Sequence, residues 1–469
     1  MKRFFLFILS LVTLLSINAK TVVVETRGIS LVINAEEGKS PQYLYFGAKL
    51  KTGDVGRLQN PREGRMDVYP AYGLNPQAEA ALAMRHADGN MSTALVVTGI
   101  DESVEGSSKV TAIHLKDPVY PVTVDLKYRT YPDADMIEAW TEITNNEKQV
   151  VTLTRFASAM LPVRRGNVWL SHLYGSWANE AILAEEPLLA GEMVIRNTDG
   201  TRNSHTDHGE VMLSLDGKAK ENSGDVIGAA LCYSGNYKLR ICTDDTEYHY
   251  LFAGINEDNS EYHLKKGETF VTPPLALTFS KEGLSGASRN FHKWGRKYKL
   301  MHGDKERKIL LNSWEGVYFD INEEGMDQMM GDIASMGGEL FVMDDGWFGD
   351  KYPRKTDNSS LGDWVVDRNK LPNGIGGLID DAKKHGIKFG IWVEPEMANT
   401  TSELYEKHPE WILKAPNREP VLGRGGTQVV LDLANPKVQD FCFGVIDNLM
   451  TEFPEIDYIK WDANMSVSN

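Results

Sequence analysis

Between Thr21 and about Phe279, short segments of alternating apolar and polar residues follow one another, among them residues 21–24, 30–33, 122–128, 137–144 and 151–156. Side chains along a strand point to opposite faces in turn, so a period of two predicts half-buried strands, and the Gly, Asn and Asp between the segments predict tight turns. This part of the chain, residues 20–282, reads as one large antiparallel β-sandwich.

The period then changes. Phe291, Trp294 and Tyr298 recur three or four residues apart with Arg and Lys opposite, which predicts a helical linker over residues 283–307, packed between two domains. From residue 308 short apolar strands (309–314, 340–344, 388–393, 429–433 and 458–461) alternate with amphipathic helices (324–336, 375–385, 402–413 and 436–453). Strand and helix in alternation indicate parallel βαβ units, whose commonest home is a (β/α)8 barrel. A complete barrel takes roughly 250 residues, so residues 308–469 are expected to form an incomplete TIM barrel with about five of its eight strands. A doubly wound sheet is the competing reading, weakened because no G-x-G-x-x-G turn follows the first strand.

The N-terminus changes the picture of where the protein works. Lys2 and Arg3 precede an apolar run over residues 4–15 and small residues up to Ala19, the pattern of a signal peptide over residues 1–19. Export to the periplasm or the exterior is the expectation. A dozen apolar residues fall short of the roughly 20 that span a bilayer, so no stable membrane anchor is expected. Cys232, Cys242 and Cys442 lack metal or redox spacing and read as buried free thiols, with a bridge between Cys232 and Cys242 as the alternative. A net charge of −16 over 469 residues without a long basic run argues against nucleic acid as a partner and favours a neutral polar substrate.

The candidate chemistry collects where barrel strands end, the face on which such folds carry their sites. The successive ends read Trp314-Glu315, Asp344-Asp345-Gly346-Trp347, Trp392-Val393-Glu394-Pro395-Glu396, Asp432, and Lys460-Trp461-Asp462 with Asn464 beyond. Indoles beside carboxylates suit a sugar, which offers a C–H face for stacking and hydroxyls for charged acceptors. Asp344 and Asp345 could instead hold Mg²⁺ or Ca²⁺, but no further ladder of carboxylates follows, and neither a metal nor another cofactor is implied. Lys460 and Asp462 are two apart on a strand and share a face, so the ammonium favours the ionised carboxylate that a nucleophile needs. Glycoside hydrolysis needs a second carboxyl, and Glu394, Glu396 and Asp432 all remain open for it.

In order, the runs NSWEGVYFD, FVMDDGWFG, SLGDW, GIWVEPEM, LDLANP and YIKWDAN resemble the motifs of glycoside hydrolase family 36, the melibiase-type α-galactosidases. The resemblance implies a retaining double displacement on terminal α-galactosyl residues of melibiose- or raffinose-type oligosaccharides, with Asp462 as nucleophile. It also implies that Asp344 and Asp345 accept from galactose O4 and O6, that Lys460 and Arg424 hold ring hydroxyls, and that Trp314 and Trp392 wall the sugar site, with Asn464 nearby. The family's acid/base is an Asp on a later strand and lies beyond Asn469, so the chain as given is expected to be C-terminally truncated and inactive. α-N-acetylgalactosaminidase, transglycosylase and non-catalytic galactoside binding stay open as alternatives. At residues 74–77 Leu-Asn-Pro-Gln replaces the family's continuation, which leaves a homo-oligomer of the full-length protein an open question.

Two outcomes are expected of the isolated chain. Without the acid, expulsion of a sugar leaving group slows by on the order of 10²–10⁴-fold, measured on an unactivated galactoside. Unpaired strand edges give poor solubility; clean monomeric scattering with cooperative melting would contradict this.

Overall fold

The computed structural model describes residues 21–59, 65–73, 79–203 and 205–467. The expected signal peptide and residues 74–77 lie outside the described residues. The chain divides into two compact units at Asp304 and Lys305.

The first unit is an antiparallel β-sandwich. Its largest sheet has ten strands, running from Asn179–Pro187 at one edge, through Leu275–Ser280 and Met136–Asn145, to Val96–Glu105 at the other. In Val122–Tyr131 the residues Val122, Val124, Leu126 and Tyr128 all point inward, as period two requires. They join one continuous core with side chains of the smaller sheets, such as Leu31 and Ile33 from Ile29–Asn34 and Leu251 and Ala253 from Tyr248–Ile255.

The helix expected as a linker, Gly283–Trp294 with its continuation Gly295–Lys299, belongs to this unit. Phe291, Trp294 and Tyr298 pack on a small cluster of Tyr131, Ala134, Met136 and Ala276. The thiols of all three cysteines are free, and Cys232 is exposed rather than buried. Among the described residues no helix is long and apolar enough to cross a membrane.

The second unit is built on a parallel sheet of strands β1 (Leu310–Asn312), β2 (Leu340–Met343), β3 (Lys388–Val393) and β4 (Ile456–Trp461), hydrogen-bonded in chain order. Helices α1 (Glu323–Ser335), α2 (Gly374–Lys384) and α3 (Pro436–Glu452) make the crossovers. Consecutive parallel neighbours joined by helices are the start of a (β/α)8 barrel.

The sheet has four strands, not five, and residues 429–433 correct the expectation. Gln428–Val430 pairs antiparallel with Met397–Asn399 in a ribbon inserted between β3 and α3. Val429 and Leu431 are buried there in a separate small core with Ala398, Leu404, Trp411, Val438 and Cys442. A short apolar run announces burial without saying in which sheet. Asp432 therefore ends no barrel strand; its Oδ1 accepts the Ala434 N–H on the approach to α3. The helix expected over residues 402–413 is likewise cut to Glu403–Lys407 and a 3-10 turn, Pro409–Trp411, because Pro409 cannot donate to the helix ladder.

The turn that leaves β2 is tight. Gly346 has φ +118°, and a Cβ there would lie 3.1 Å from the Phe319 Cα. Only glycine lets the chain turn so close behind the Asp344-Asp345 pair.

Candidate active site

The C-terminal end of β2 carries Asp344 and Asp345, both buried, at 2% and 5% exposure. A buried carboxylate must find donors or a counter-charge, and each finds a different set. The Asp344 N–H donates to Ser313 Oγ at 2.9 Å, while its Oδ2 accepts from Asn312 Nδ2 at 2.6 Å and from Lys460 Nζ at 2.7 Å. The side chain thus spans from the end of β1 to β4. Asp345 turns the other way, into a fork-on-fork pair with Arg354: Nε to Oδ1 at 2.9 Å and Nη2 to Oδ2 at 2.7 Å. Burial pushes the Asp345 carboxyl up, and the Arg354 guanidinium opposes that rise.

Arg354 is 1% exposed on its side chain and also donates to Ser359 O and Asn399 Oδ1. Beneath it, the Lys370 ammonium donates to three carbonyl oxygens, Phe319 at 2.8 Å, Gly346 at 2.7 Å and Arg354 at 2.8 Å. Burial lowers its pKa. Lys370 thereby ties the loops after β1 and β2 together.

The facing ends of β3 and β4 bring Trp392, Glu394, Lys460, Asp462 and Asn464 together. Trp392 Nε1 donates to Asp462 Oδ2 at 3.0 Å, and the Asp462 N–H donates to the Val393 carbonyl at 2.9 Å. Burial works against ionisation of Asp462. Hydrogen bonds from Trp392 and Asn464 and the Lys460 charge outweigh it, and the carboxyl is held below the ordinary aspartate range. Glu394 goes the opposite way: it is 2% exposed, and burial, with Asp462 and Asp345 adding to it, pushes its pKa up to about 8. Its Oε1 accepts the Asn464 N–H at 2.6 Å. At neutral pH the site therefore holds one ionised carboxyl, Asp462, outside the two ion pairs, and one protonated carboxyl.

Other expected residues take more peripheral places. Trp392 is 1% exposed, stacked under Phe348 at 6.2 Å between ring centroids, so its indole presents its N–H edge to the site and no open face. Trp314 follows β1, partly exposed, and meets Tyr318 and Phe319 edge-on. Arg424 sits in the ribbon's exposed loop, 3.3 Å from Asn464 Oδ1 and 3.4 Å from Asp357 Oδ1. Glu396 accepts from Trp461 Nε1 at 3.0 Å, on the exposed side of β4. The residues missed from sequence are Asn312, Ser313, Arg354 and Lys370. Asn312 and Ser313 adjoin a marked strand end and were within reach, whereas Arg354 and Lys370 lie in a loop without periodicity.

Residues 39–265 match the profile of the glycosyl hydrolase family 36 N-terminal domain, and residues 269–469 that of melibiase. The chain belongs to glycoside hydrolase family 36. It is 37% identical to the alpha-galactosidase AgaA of Geobacillus stearothermophilus over 85% of this chain and 56% of that one. It is 32% identical to the alpha-galactosidase Mel36A of Lactobacillus acidophilus over 94% of this chain and 64% of that one. A crystal structure of an AgaA variant in complex with 1-deoxygalactonojirimycin superposes with a TM-score of 0.88 at 30% identity, covering 96% of this chain and 66% of that one. This family 36 chain thus spans about three-fifths of the curated relatives it matches.

Two predictions follow from the buried charges of the family 36 site. Arg354→Met leaves Asp345 buried and unpaired and costs roughly 3–5 kcal/mol in denaturant unfolding, part of which the double variant with Asp345→Asn recovers. Glu394 faces Asp462 from β4, Asp345 from β2, Arg354 and the Asn464 amide. Its folded-state pKa of about 8 lies above the ordinary value of 4.5, so the folded protein keeps a proton that the unfolded chain releases. Stability contributed by this group therefore falls as pH rises from 4.5 towards 8; Glu394→Gln removes that part of the slope, and an unchanged slope would refute it.

Proposed function

We propose that the whole protein is a retaining α-galactosidase acting on terminal α-galactosyl residues of melibiose- and raffinose-type oligosaccharides. The observation that carries this is the Asp462 carboxylate, held ionised at the end of β4 beside the Lys460–Asp344 pair. Relatives named as alpha-galactosidases, and a crystal structure of an AgaA variant in complex with raffinose, support the substrate class.

On this reading an Asp462 oxygen attacks the anomeric carbon and the glycosidic C–O bond breaks, its electron pair leaving with the departing oxygen. Water then displaces the carboxylate from the opposite face and the configuration is retained. Asp344 and Asp345, with lone pairs left over from their ion pairs, accept from the O4 and O6 hydroxyls. An epimer with equatorial O4 leaves a buried acceptor unmatched, which is how such a site discriminates. Lys460 and Arg424 meet the ring hydroxyls, with Trp314 beside them. The proton for the leaving oxygen is assigned to no described residue. The N-terminal pattern adds export to the periplasm or exterior, which N-terminal sequencing of the mature protein tests.

In the full-length protein Asp462→Ala is expected to lower kcat on an aryl α-galactoside by on the order of 10³-fold or more. Added azide then yields β-galactosyl azide, and proton NMR of the wild-type reaction shows α-galactose as the first product. β-Galactose appearing first would overturn the reading.

A further inference from the structure

Three successive residues at the end of β3 grip the turn that carries Asp462. The Trp392 indole N–H bonds the Asp462 side chain, the Val393 carbonyl accepts the Asp462 N–H, and Glu394 Oε1 accepts the Asn464 N–H at 2.6 Å. The first two contacts set where the nucleophile begins. The third sets how the chain leaves it.

We propose that Glu394 is a positioning residue: through the Asn464 amide it fixes the turn that presents the Asp462 carboxylate to the sugar. The inference rests on Asp462 being the nucleophile. Glu394 is 2% exposed and one of its oxygens is engaged by the backbone, so no proton transfer is assigned to it. Its place between Asp462 and Asp345 instead demands a side chain that accepts a hydrogen bond without adding a second unpaired negative charge beside Asp462. Arg354, the nearby cation, is already taken up by Asp345 on two bonds. A protonated Glu meets that demand, with Oε1 as the acceptor. Asn464 is positioned by the same bond: its Oδ1 receives Arg424 from the inserted ribbon and its side chain bonds Asp462. Glu394 therefore orders one end of the nucleophile turn and the Asn464 side chain that meets Arg424.

The test uses 5-fluoro-α-D-galactosyl fluoride as a mechanism-based label on the full-length protein. An Asp462 oxygen forms a bond to the anomeric carbon and fluoride leaves with its electron pair, so no acid catalyst is needed. Intact mass gives the rate, and peptide mapping the site. Glu394→Leu, which keeps size but removes the acceptor, is expected to slow the maximal labelling rate by on the order of 10²-fold with little change in the half-saturating concentration, because a displaced nucleophile costs rate more than binding. Glu394→Gln, which keeps an acceptor oxygen and carries no charge, restores the rate to within about threefold. Melting curves establish that both variants fold. If wild-type protein labels at Asp462 and Glu394→Leu labels equally fast, or Glu394→Gln is as slow as Glu394→Leu, the positioning role falls. If wild-type protein labels elsewhere or not at all, the nucleophile assignment falls, and the positioning role with it.

Discussion

Ionised carboxylates are expensive to bury, each costing several kcal/mol unless a counter-charge or well-placed donors meet it. The C-terminal end of this sheet buries three carboxyls, on Asp344, Asp345 and Glu394, within reach of a fourth on Asp462. The rest of the second unit follows from how that cost is met. Asp344 uses Lys460 and so ties β2 to β4. Asp345 uses Arg354 and so fixes the long loop after β2. Glu394 keeps its proton. What remains is the Asp462 carboxylate, outside those ion pairs, the group that the proposed function uses as its nucleophile.

Much of this was legible in the chain. Period-two alternation over residues 122–128, 137–144 and 151–156 matches strands whose ends differ by at most a few residues. The indole and carboxylate pairs marked all four parallel strand ends, and only the fifth expected end, Asp432, falls elsewhere, because residues at those ends escape the apolar pattern that the strand itself imposes.

The failures have particular physical causes. Gln428–Val430 is apolar because it seals a local core, and hydrophobicity does not record which sheet a strand joins. Trp392 was expected to wall the sugar site, and because an indole serves equally as a wall and as a buried donor, the sequence did not show that it packs against Phe348 and Trp364 with its N–H on Asp462. Arg354 and Lys370 were invisible because their partners are a carboxylate nine residues away across a loop and a set of backbone carbonyls, neither of which leaves a spacing to read.

The ribbon between β3 and α3 has a small core of its own, seated on Val438 and Cys442 of α3, and it meets the strand ends through the buried Asn399, which accepts from Arg354, and the exposed Arg424, which meets Asn464. Most of its interior packs apart from the barrel strands, with Met397 alone among its named strand residues joining their core. That separation lets substitutions accumulate at the ribbon's exposed positions, Arg424 among them, at small cost to folding. Variation there reshapes the rim around the strand ends first, with the four carboxyls left untouched.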